Sequence, residues 1–157
     1  MADFREVLQK TINAFLDNNT QAVKTKDASL LSAILTNDCI RSYRPLSFVN
    51  RYPQVLKPHL TNEDYETHMR IDFEYMKDVS QNISRTVIDT TQRAAVIWTE
   101  QTITMADGSK KVIEIIWDLS FTEDGGRVSR VVEFVDTYES TKVLEQVLGN
   151  AVRYSVL

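Results

Sequence analysis

The sequence predicts an α+β domain in which helices pack over one face of an antiparallel sheet. In its first half, apolar residues recur every three or four positions, which is the period of helices. From Ile83 onward, the pattern changes to extended segments rich in Val, Ile, Thr and Trp. The turn pairs Asp107-Gly108 and Asp124-Gly125 separate these segments, so consecutive strands should form antiparallel hairpins.

The first predicted helix begins after Asp3. Glu6 follows three positions later, which is the spacing of a helix N-terminus. One apolar stripe then runs along this helix: Phe4, Val7, Leu8, Ile12, Phe15 and Leu16. A second, short helix is predicted after Asp27, and it carries Leu30, Leu31, Ile34 and Leu35. A brief extended stretch at 39–43 then stops at Pro45.

The middle of the chain is predicted as a loop followed by a third helix. Two of the three prolines fall within 48–60, so this segment should be a loop. The helix starts near Asn62 and ends near Lys77, and one side of it carries Tyr65, Met69, Asp72 and Met76.

Strands are predicted at 84–90, 93–105, 111–122 and 128–136, and a last helix at 138–148. The whole chain, 1–157, should form one domain, with a C-terminal helix and tail over 137–157.

The composition excludes several classes of protein. A chain of 157 residues with 43% hydrophobic and 25% charged residues is typical of one soluble domain. The net charge of -4 argues against a nucleic-acid binder, which needs a basic face. Cys39 is the only cysteine, so no internal disulfide and no paired-thiolate zinc site can form. No apolar run reaches the ~20 residues of a membrane span, so we expect a cytoplasmic protein without a membrane partner.

The hairpin turns also predict which side chains share a face of the sheet, because directly opposed residues in an antiparallel pair point the same way. A two-residue turn at Asp107-Gly108 places Ala106 opposite Ser109, and an even second loop places Thr122 opposite Arg127. One face then collects Thr99, Gln101, Glu114, Ile116, Asp118 and Glu133. The other collects Trp98, Trp117, Leu119, Val132 and Phe134. An exposed apolar face of this size predicts a homodimer, and the alternative is that helices cover it. A bulge at Gly125-Gly126 would break the register of the last strand.

Glu133 is the best single candidate for acid–base chemistry. It sits between Val132 and Phe134 on a predicted inner strand, where burial would raise the carboxyl pKa and allow proton exchange near neutral pH. The alternative is an acid on a solvent-facing strand. His68 and Asp72 are four positions apart on the third helix, so the acid can orient the imidazole, although surface helix pairs of this kind are common.

Other candidates are weaker or can be set aside. Tyr65 and Tyr43 either donate a hydrogen bond to a substrate oxygen or are half-buried core residues. His59 lies in the proline-rich loop without a nearby partner, so it should be solvated. The sequence has no glycine-rich phosphate loop, nucleotide-binding fingerprint, nucleophile elbow or metal-ligand set, and Cys39 with His68 is not a nucleophile pair. We therefore expect no cofactor and no metal, which leaves proton chemistry or ligand binding.

Several short stretches resemble the SnoaL-like proteins of fungal secondary-metabolite clusters, within the nuclear transport factor 2-like superfamily. The most specific is Val132-Glu133-Phe134-Val135-Asp136 at the end of the last strand. The others, in chain order, are Asp38-Cys39-Ile40 followed by Pro45, Asn62-Glu63-Asp64-Tyr65 with His68 behind it, and Glu114. The order of elements, helices and then a curved meander, also matches, and the resemblance covers nearly the whole chain.

The resemblance implies a conical half-barrel: a curved antiparallel sheet with about three helices packed over its concave face. Its open end would hold a small hydrophobic molecule, usually in a homodimer. Related members include polyketide cyclases, dehydratases, epoxide hydrolases and meroterpenoid isomerases, so the fold does not fix the reaction. Glu133 falls where relatives often hold a cavity carboxylate. Arg41 stands where relatives often have a histidine, and a guanidinium that reached the cavity would hold an enolate or carboxylate rather than act as a base.

Together these observations predict a cofactor-independent isomerase or cyclase that acts by proton transfer on a hydrophobic polyketide or terpenoid-type intermediate. Glu133 would be the base, and His68 or Glu114 would return the proton. The substrate would contact Arg41, Tyr65, Asp72, Gln101 and Asp118. Two alternatives stay open: a non-catalytic ligand-binding or protein-interaction module of the same fold, and a dehydratase. A dehydratase would call for histidines on the strands, whereas His59 and His68 precede the sheet.

Overall fold

The computed structural model describes residues 2–149, which form four α-helices, one short 3-10 helix and five strands. The helices are α1 (Phe4–Thr25), α2 (Leu46–Arg51), α3 (Asn62–Phe73) and α4 (Thr137–Leu148), and the 3-10 helix is Ala28–Ser32. The strands are β1 (Leu35–Arg44), β2 (Met76–Asp89), β3 (Ala94–Met105), β4 (Lys110–Phe121) and β5 (Val128–Val135). The predicted α+β class is confirmed. The tail after Gly149 lies outside the described residues.

Helix α1 is the predicted first helix, and its apolar stripe packs into the core. The Asp3 side chain accepts a hydrogen bond from the Arg5 backbone N–H and caps the N-terminus. The C-terminus closes at Lys26, whose φ of 59° is left-handed. Four residues of the predicted stripe are almost fully buried: Leu8, Ile12, Phe15 and Leu16. The helix therefore forms one wall of the interior, against the 3-10 helix and β2.

The five strands form one open sheet in the order β1-β5-β4-β3-β2. Strands β2 to β5 are sequential antiparallel neighbours, as the turn signals predicted. The expectation of a purely antiparallel sheet is wrong, because β1 joins the edge of β5 in parallel. Residues 39–43, which were predicted as a brief extended segment, are the middle of the ten-residue strand β1.

Three element boundaries differ from the prediction. The segment predicted as a loop from residue 48 overlaps the short helix α2. Helix α3 ends at Phe73 rather than near Lys77, and β2 begins at Met76 rather than at residue 84. Strand β2 lies at the sheet edge and most of its side chains are exposed, so its sequence lacks the alternation that marks a half-buried strand.

The register predicted for the β3–β4 hairpin is wrong by one residue. The loop has three residues, Ala106 to Gly108, because the Met105 backbone N–H donates to the Ser109 carbonyl. Gly108 takes a φ of +87°, which is the left-handed position of a three-residue hairpin loop. Thr99 therefore lies opposite Ile115 rather than Ile116. A one-residue shift reverses every side chain of β4 relative to β3.

The reversal moves two predicted site residues and two predicted surface residues. Glu114 and Asp118 lie on the outer, convex face of the sheet, away from the helices. Trp117 and Leu119, which were predicted on the outer apolar face, are 2% and 0% exposed in the core.

The β4–β5 hairpin adds a second one-residue shift that restores the position of Glu133. Thr122 lies opposite Arg127 as predicted, since its backbone N–H donates to the Arg127 carbonyl. A bulge then falls between the Phe121–Val128 and Ser120–Arg130 pairs rather than at Gly125-Gly126. Glu133 consequently lies opposite Trp117. Because the two shifts cancel, Glu133 shares the concave face with Thr99 and Gln101, as the prediction required.

Three helices, α1, α3 and α4, cover the concave face of the sheet. Their apolar side chains and the inner strand residues form one continuous core. Within residues 2–149, no helix is both long and apolar enough to span a membrane. The helices close over the sheet incompletely, and the space that they leave is the cavity described next.

Candidate active site

A cavity of about 140 Å³ lies between the concave face of the sheet and the helices. Most of its lining is apolar and includes Val143, Leu144 and Val147 of α4 and Phe48 of α2. Its polar lining residues are few: Asn19, Thr20, Tyr43, Tyr65, His68, Asp72, Gln101, Glu133 and Ser140. An apolar pocket with a small number of polar groups is typical of small-molecule binding sites.

Glu133 lies in the wall of this cavity and is only 7% exposed. Strand β5 holds it between β1 and β4, with Tyr43 and Trp117 as its direct cross-strand neighbours. Burial raises the pKa of the Glu133 carboxyl from 4.5 to about 7, and the nearby Arg41 charge and a Tyr65 hydrogen bond oppose this rise. A carboxyl with this pKa exchanges protons at neutral pH.

Tyr65 connects helix α3 to Glu133. The helix starts at Thr61 with a capping box: Thr61 Oγ1 accepts from the Asp64 backbone N–H, and the Asp64 carboxylate accepts from the Thr61 N–H. This fixed start places Tyr65 on the inner face of the helix, where its hydroxyl donates to Glu133 Oε2 at 3.3 Å. Burial and the Glu133 charge raise the pKa of Tyr65 well above its usual value, so the hydroxyl keeps its proton.

His68 and Asp72 form the pair that their spacing predicted. His68 Nε2 lies 3.5 Å from Asp72 Oδ2, and their side chains are 19% and 15% exposed. Burial raises the pKa of Asp72, and the interaction with His68 opposes that rise. The ring of Tyr43 packs edge-on near His68, with 6.2 Å between centroids. Both members of the pair line the cavity, so this is not a surface helix pair.

Arg41 lies behind the cavity wall rather than in it. Its guanidinium stacks 3.8 Å from the centre of the Tyr65 ring, and its Nη2 donates to the Leu31 carbonyl at 2.8 Å. The side chain is 1% exposed and is absent from the cavity lining. The expectation that Arg41 contacts the substrate is therefore wrong, because Tyr65 separates the guanidinium from the cavity. Arg41 instead acts electrostatically on Glu133.

The remaining predicted residues divide between the cavity and the outer face. Gln101 lines the cavity. Glu114 is exposed on the outer face, and Asp118 pairs there with Arg130 at 3.5 Å, so neither is part of the cavity. His59 is exposed but does have a partner, since its Nδ1 lies 2.9 Å from Ser42 Oγ.

The sequence reasoning missed two polar lining residues of α1, Asn19 and Thr20. Asn19 interrupts the apolar stripe between Phe15 and Val23, each four positions away. This interruption was the signal that could have identified it, because a polar residue on a core-facing stripe needs a partner in the interior.

Two other features of the described residues bear on the chemistry. Among residues 2–149, no group of three His, Cys, Asp or Glu side chains could hold a metal ion. Burial raises the pKa of the Cys39 thiol to about 11, so at neutral pH it is a protonated core residue rather than a nucleophile.

The fold resembles those of several solved structures at low sequence identity. A pinacolase, BvnE of Penicillium brevicompactum, aligns with a TM-score of 0.79 at 19% identity, covering 93% of this chain and 94% of the pinacolase. An NTF2-like protein of unknown function from Burkholderia pseudomallei aligns with a TM-score of 0.65 at 13% identity, covering 87% and 96% of the two chains. A Shewanella denitrificans protein named for its likeness to SnoaL polyketide cyclases gives 0.64 at 11% identity, covering 89% and 98%.

These likenesses bear on the fold alone. No protein-family model matches the chain, and no curated protein sequence matches it. The resemblance to SnoaL-like proteins that the sequence motifs predicted is confirmed at the level of the fold, across most of the chain. The protein has the nuclear transport factor 2-like fold.

Proposed function

We propose that the protein is a cofactor-independent isomerase or cyclase that moves a proton on a small hydrophobic molecule. The observation that carries this proposal is Glu133: a carboxyl in an apolar cavity with a pKa of about 7. The most effective general base is one whose pKa lies near the working pH, because it is then both present as the base and strong. Burying an ionisable carboxyl costs free energy, and carboxyls with pKa values raised in this way are concentrated at functional sites.

The proposed reaction begins when the Glu133 carboxylate takes a proton from a carbon next to a substrate carbonyl. The electron pair of the broken C–H bond moves into the carbonyl group, which becomes an enolate. The Tyr65 hydroxyl, which stays protonated, donates a hydrogen bond that stabilises the Glu133 carboxylate. His68, oriented by Asp72 on the same wall, returns a proton at another atom of the substrate. Glu133 then releases its proton to solvent and His68 takes one up from solvent, so both side chains return to their starting states and no net proton is gained or lost.

We further propose that the substrate is a polyketide or terpenoid-type intermediate. The apolar lining favours a molecule that is mostly hydrocarbon, and the few polar groups favour one or two oxygen functions. A pinacolase and a protein named for SnoaL polyketide cyclases share the fold, which supports this class by analogy.

Proton exchange tests the proposed first step without the natural substrate. The purified protein is incubated with 1-indanone in D₂O at pD 7.5, and loss of the α-proton signal is followed by NMR. We expect exchange well above the rate of buffer alone, because Glu133 removes the α-proton reversibly. Saturable binding of the ketone without any acceleration would contradict the enzyme proposal and favour the ligand-binding alternative.

We also propose that the outer face of the sheet forms a homodimer interface. Trp98, Ile116 and Phe134 lie in one cross-strand row on this face, and the side chain of Phe134 is 48% exposed. The row ends at Arg85 on one side and Arg44 on the other. Arginines at the edge of an apolar row are typical of interfaces, where apolar groups fill the centre and charged groups the rim.

Replacing Phe134 with aspartate is therefore expected to give a monomer. Light scattering at micromolar concentration should show twice the 18.0 kDa chain mass for the wild type and the chain mass for the variant. Ile71→Asp is the matched control, because Ile71 is equally exposed but lies on α3, which covers the opposite face of the sheet. A wild-type protein with the chain mass would overturn the prediction.

A further inference from the structure

Two amide side chains, Asn19 and Gln101, line the cavity, and a third, Gln81, lies on the strand next to Gln101. Gln81 on β2 lies directly opposite Gln101 on β3, so both side chains point to the concave face. Gln81 Nε2 donates to the Leu16 carbonyl of α1 at 3.1 Å, and Asn19 follows one helical turn after Leu16. Asn19 and Gln101 both line the cavity. Asn19, Gln81 and Gln101 are called the amide cluster below.

The hydrogen-bonding capacity of the amide cluster is largely unused. Asn19 Nδ2, Asn19 Oδ1 and Gln81 Oε1 are all buried, and none has a hydrogen-bond partner among the described residues. More than nine in ten buried polar groups in folded proteins have a partner, and leaving one unpaired costs about 1–3 kcal/mol. Two of these atoms belong to Asn19, which lines the cavity, and the third to Gln81, which is bonded to α1 one turn before Asn19. They therefore call for a partner that is not part of the protein.

The amide cluster is remote from the proposed base. Glu133 lies opposite Trp117, which lies opposite Ile97 on β3, and Gln101 is four residues further along that strand. Two strand spacings and four residues of rise separate the Cα atoms by about 10 Å across and about 13 Å along the sheet. A group bound at the amide cluster is thus a different part of the ligand from the group at Glu133.

We propose that the amide cluster is a second polar subsite that binds a neutral hydroxyl group of the substrate. The free atoms are one donor group and two acceptors, and a hydroxyl both donates and accepts. A carboxylate only accepts, so it would leave both acceptors unpaired. No charged side chain belongs to the cluster. This inference rests on the proposed function, and it adds that the substrate carries a hydroxyl at the end opposite to its reacting carbonyl.

Two probes of the same size test the subsite: cyclohexanol and methylcyclohexane. Their dissociation constants are measured from the fluorescence of Trp117, which lines the cavity, in a Trp98→Phe background where it is the only tryptophan. Asn19→Leu keeps the size of the side chain and removes the amide. We expect this variant to lower the preference for the alcohol over the hydrocarbon by about 5- to 10-fold, which is the effect of one hydrogen bond.

Matched variants distinguish loss of the subsite from a general change in the polarity of the cavity. Thr20→Val removes a neighbouring polar lining group whose hydroxyl already donates to the Asp17 carbonyl, so the preference should not change. Gln81→Met removes a free acceptor of the cluster and should lower the preference as Asn19→Leu does, which covers the case in which Asn19→Leu fails to fold. Glu133→Gln should retain the preference, because the carboxyl is at the other end.

The outcomes are distinct for the two proposals. An equal change in the affinities of both probes in Asn19→Leu and Gln81→Met would overturn the subsite and leave the acid–base proposal intact. Loss of the alcohol preference only in Glu133→Gln would also overturn it, because the hydroxyl would then bind at the base. Binding of neither probe to the wild type would contradict the ligand cavity itself and with it both proposals.

Discussion

Replacing Glu133 with glutamine is expected to slow α-proton exchange of 1-indanone by at least ~10²-fold, because a positioned general base contributes about 10²–10⁴-fold to a rate. Glutamine keeps the shape of the side chain and can still accept a hydrogen bond from Tyr65, but it has no basic oxygen at neutral pH. The affinity for the ketone should change little, so the loss should appear in turnover rather than in KM. Exchange by NMR across a range of ketone concentrations measures both quantities.

Glu114→Gln is the matched control for this variant. Glu114 is one strand away but exposed on the outer face, so the same chemical change there should leave the exchange rate at the wild-type value. A near-normal rate in a folded Glu133→Gln protein would reduce Glu133 to a strand residue and make His68 and Asp72 the next candidates for the base.

The same variant should be more stable than the wild type at high pH. The pKa of Glu133 is raised from 4.5 to about 7 by folding, so between these values the folded state binds more protons than the unfolded state. Its contribution to stability is present below pH 4.5 and is lost as the pH rises through 7. At pH 8 the cost is about 3 kcal/mol, and glutamine removes it. Urea unfolding should show a large gain for Glu133→Gln at pH 8 and little at pH 4.5.

The sequence predicted the features that depend on local periodicity. Helix α1 and the His68–Asp72 pair follow from the 3.6-residue repeat, which holds wherever a helix forms. Strand β2 was cut short because an edge strand exposes both faces and loses the alternation.

Sheet register could not be predicted in this way, because it depends on single backbone conformations. The loop at Gly108 has three residues rather than two, and the bulge before Arg130 follows from no hydrophobic pattern. Each feature shifts the register by one, and each shift reverses a face of the sheet. Glu133 comes after both shifts, which cancel, so it lies on the predicted concave face. Glu114 comes after the first shift only, so it lies on the outer face instead.

Arg41 was predicted to contact the substrate, whereas the structure buries it outside the cavity lining. The residue type predicts a positive charge. The position of the Tyr65 ring determines that this charge acts on Glu133 rather than on a substrate. The Tyr65 ring covers the guanidinium, so no substrate can reach it, yet its field still lowers the pKa of Glu133 against the effect of burial. Arg41 is therefore a positioning residue, and its removal should change the pH profile of the reaction.

Replacing Arg41 with methionine is expected to raise the pKa of Glu133 above its value of about 7. The base must be deprotonated, so the rise of the exchange rate with pH should move to higher pH, and each pKa unit gained lowers the rate at pH 6 by almost tenfold. The rate at high pH should recover, because the carboxylate that finally forms is the stronger base. Exchange measured from pH 5 to 9, with ¹³C NMR of labelled glutamate as a direct readout of the carboxyl, tests both statements.

Two further variants show whether charge or packing is responsible. Arg41→Lys keeps a positive charge but loses the planar stack on Tyr65, so its profile should lie closer to the wild type than that of Arg41→Met. Arg130→Met removes an arginine from the outer face, where it pairs with Asp118, and should not move the profile at all. If Arg41→Met lowers the rate equally at every pH, then Arg41 supports only the packing of Tyr65, and the electrostatic role is wrong.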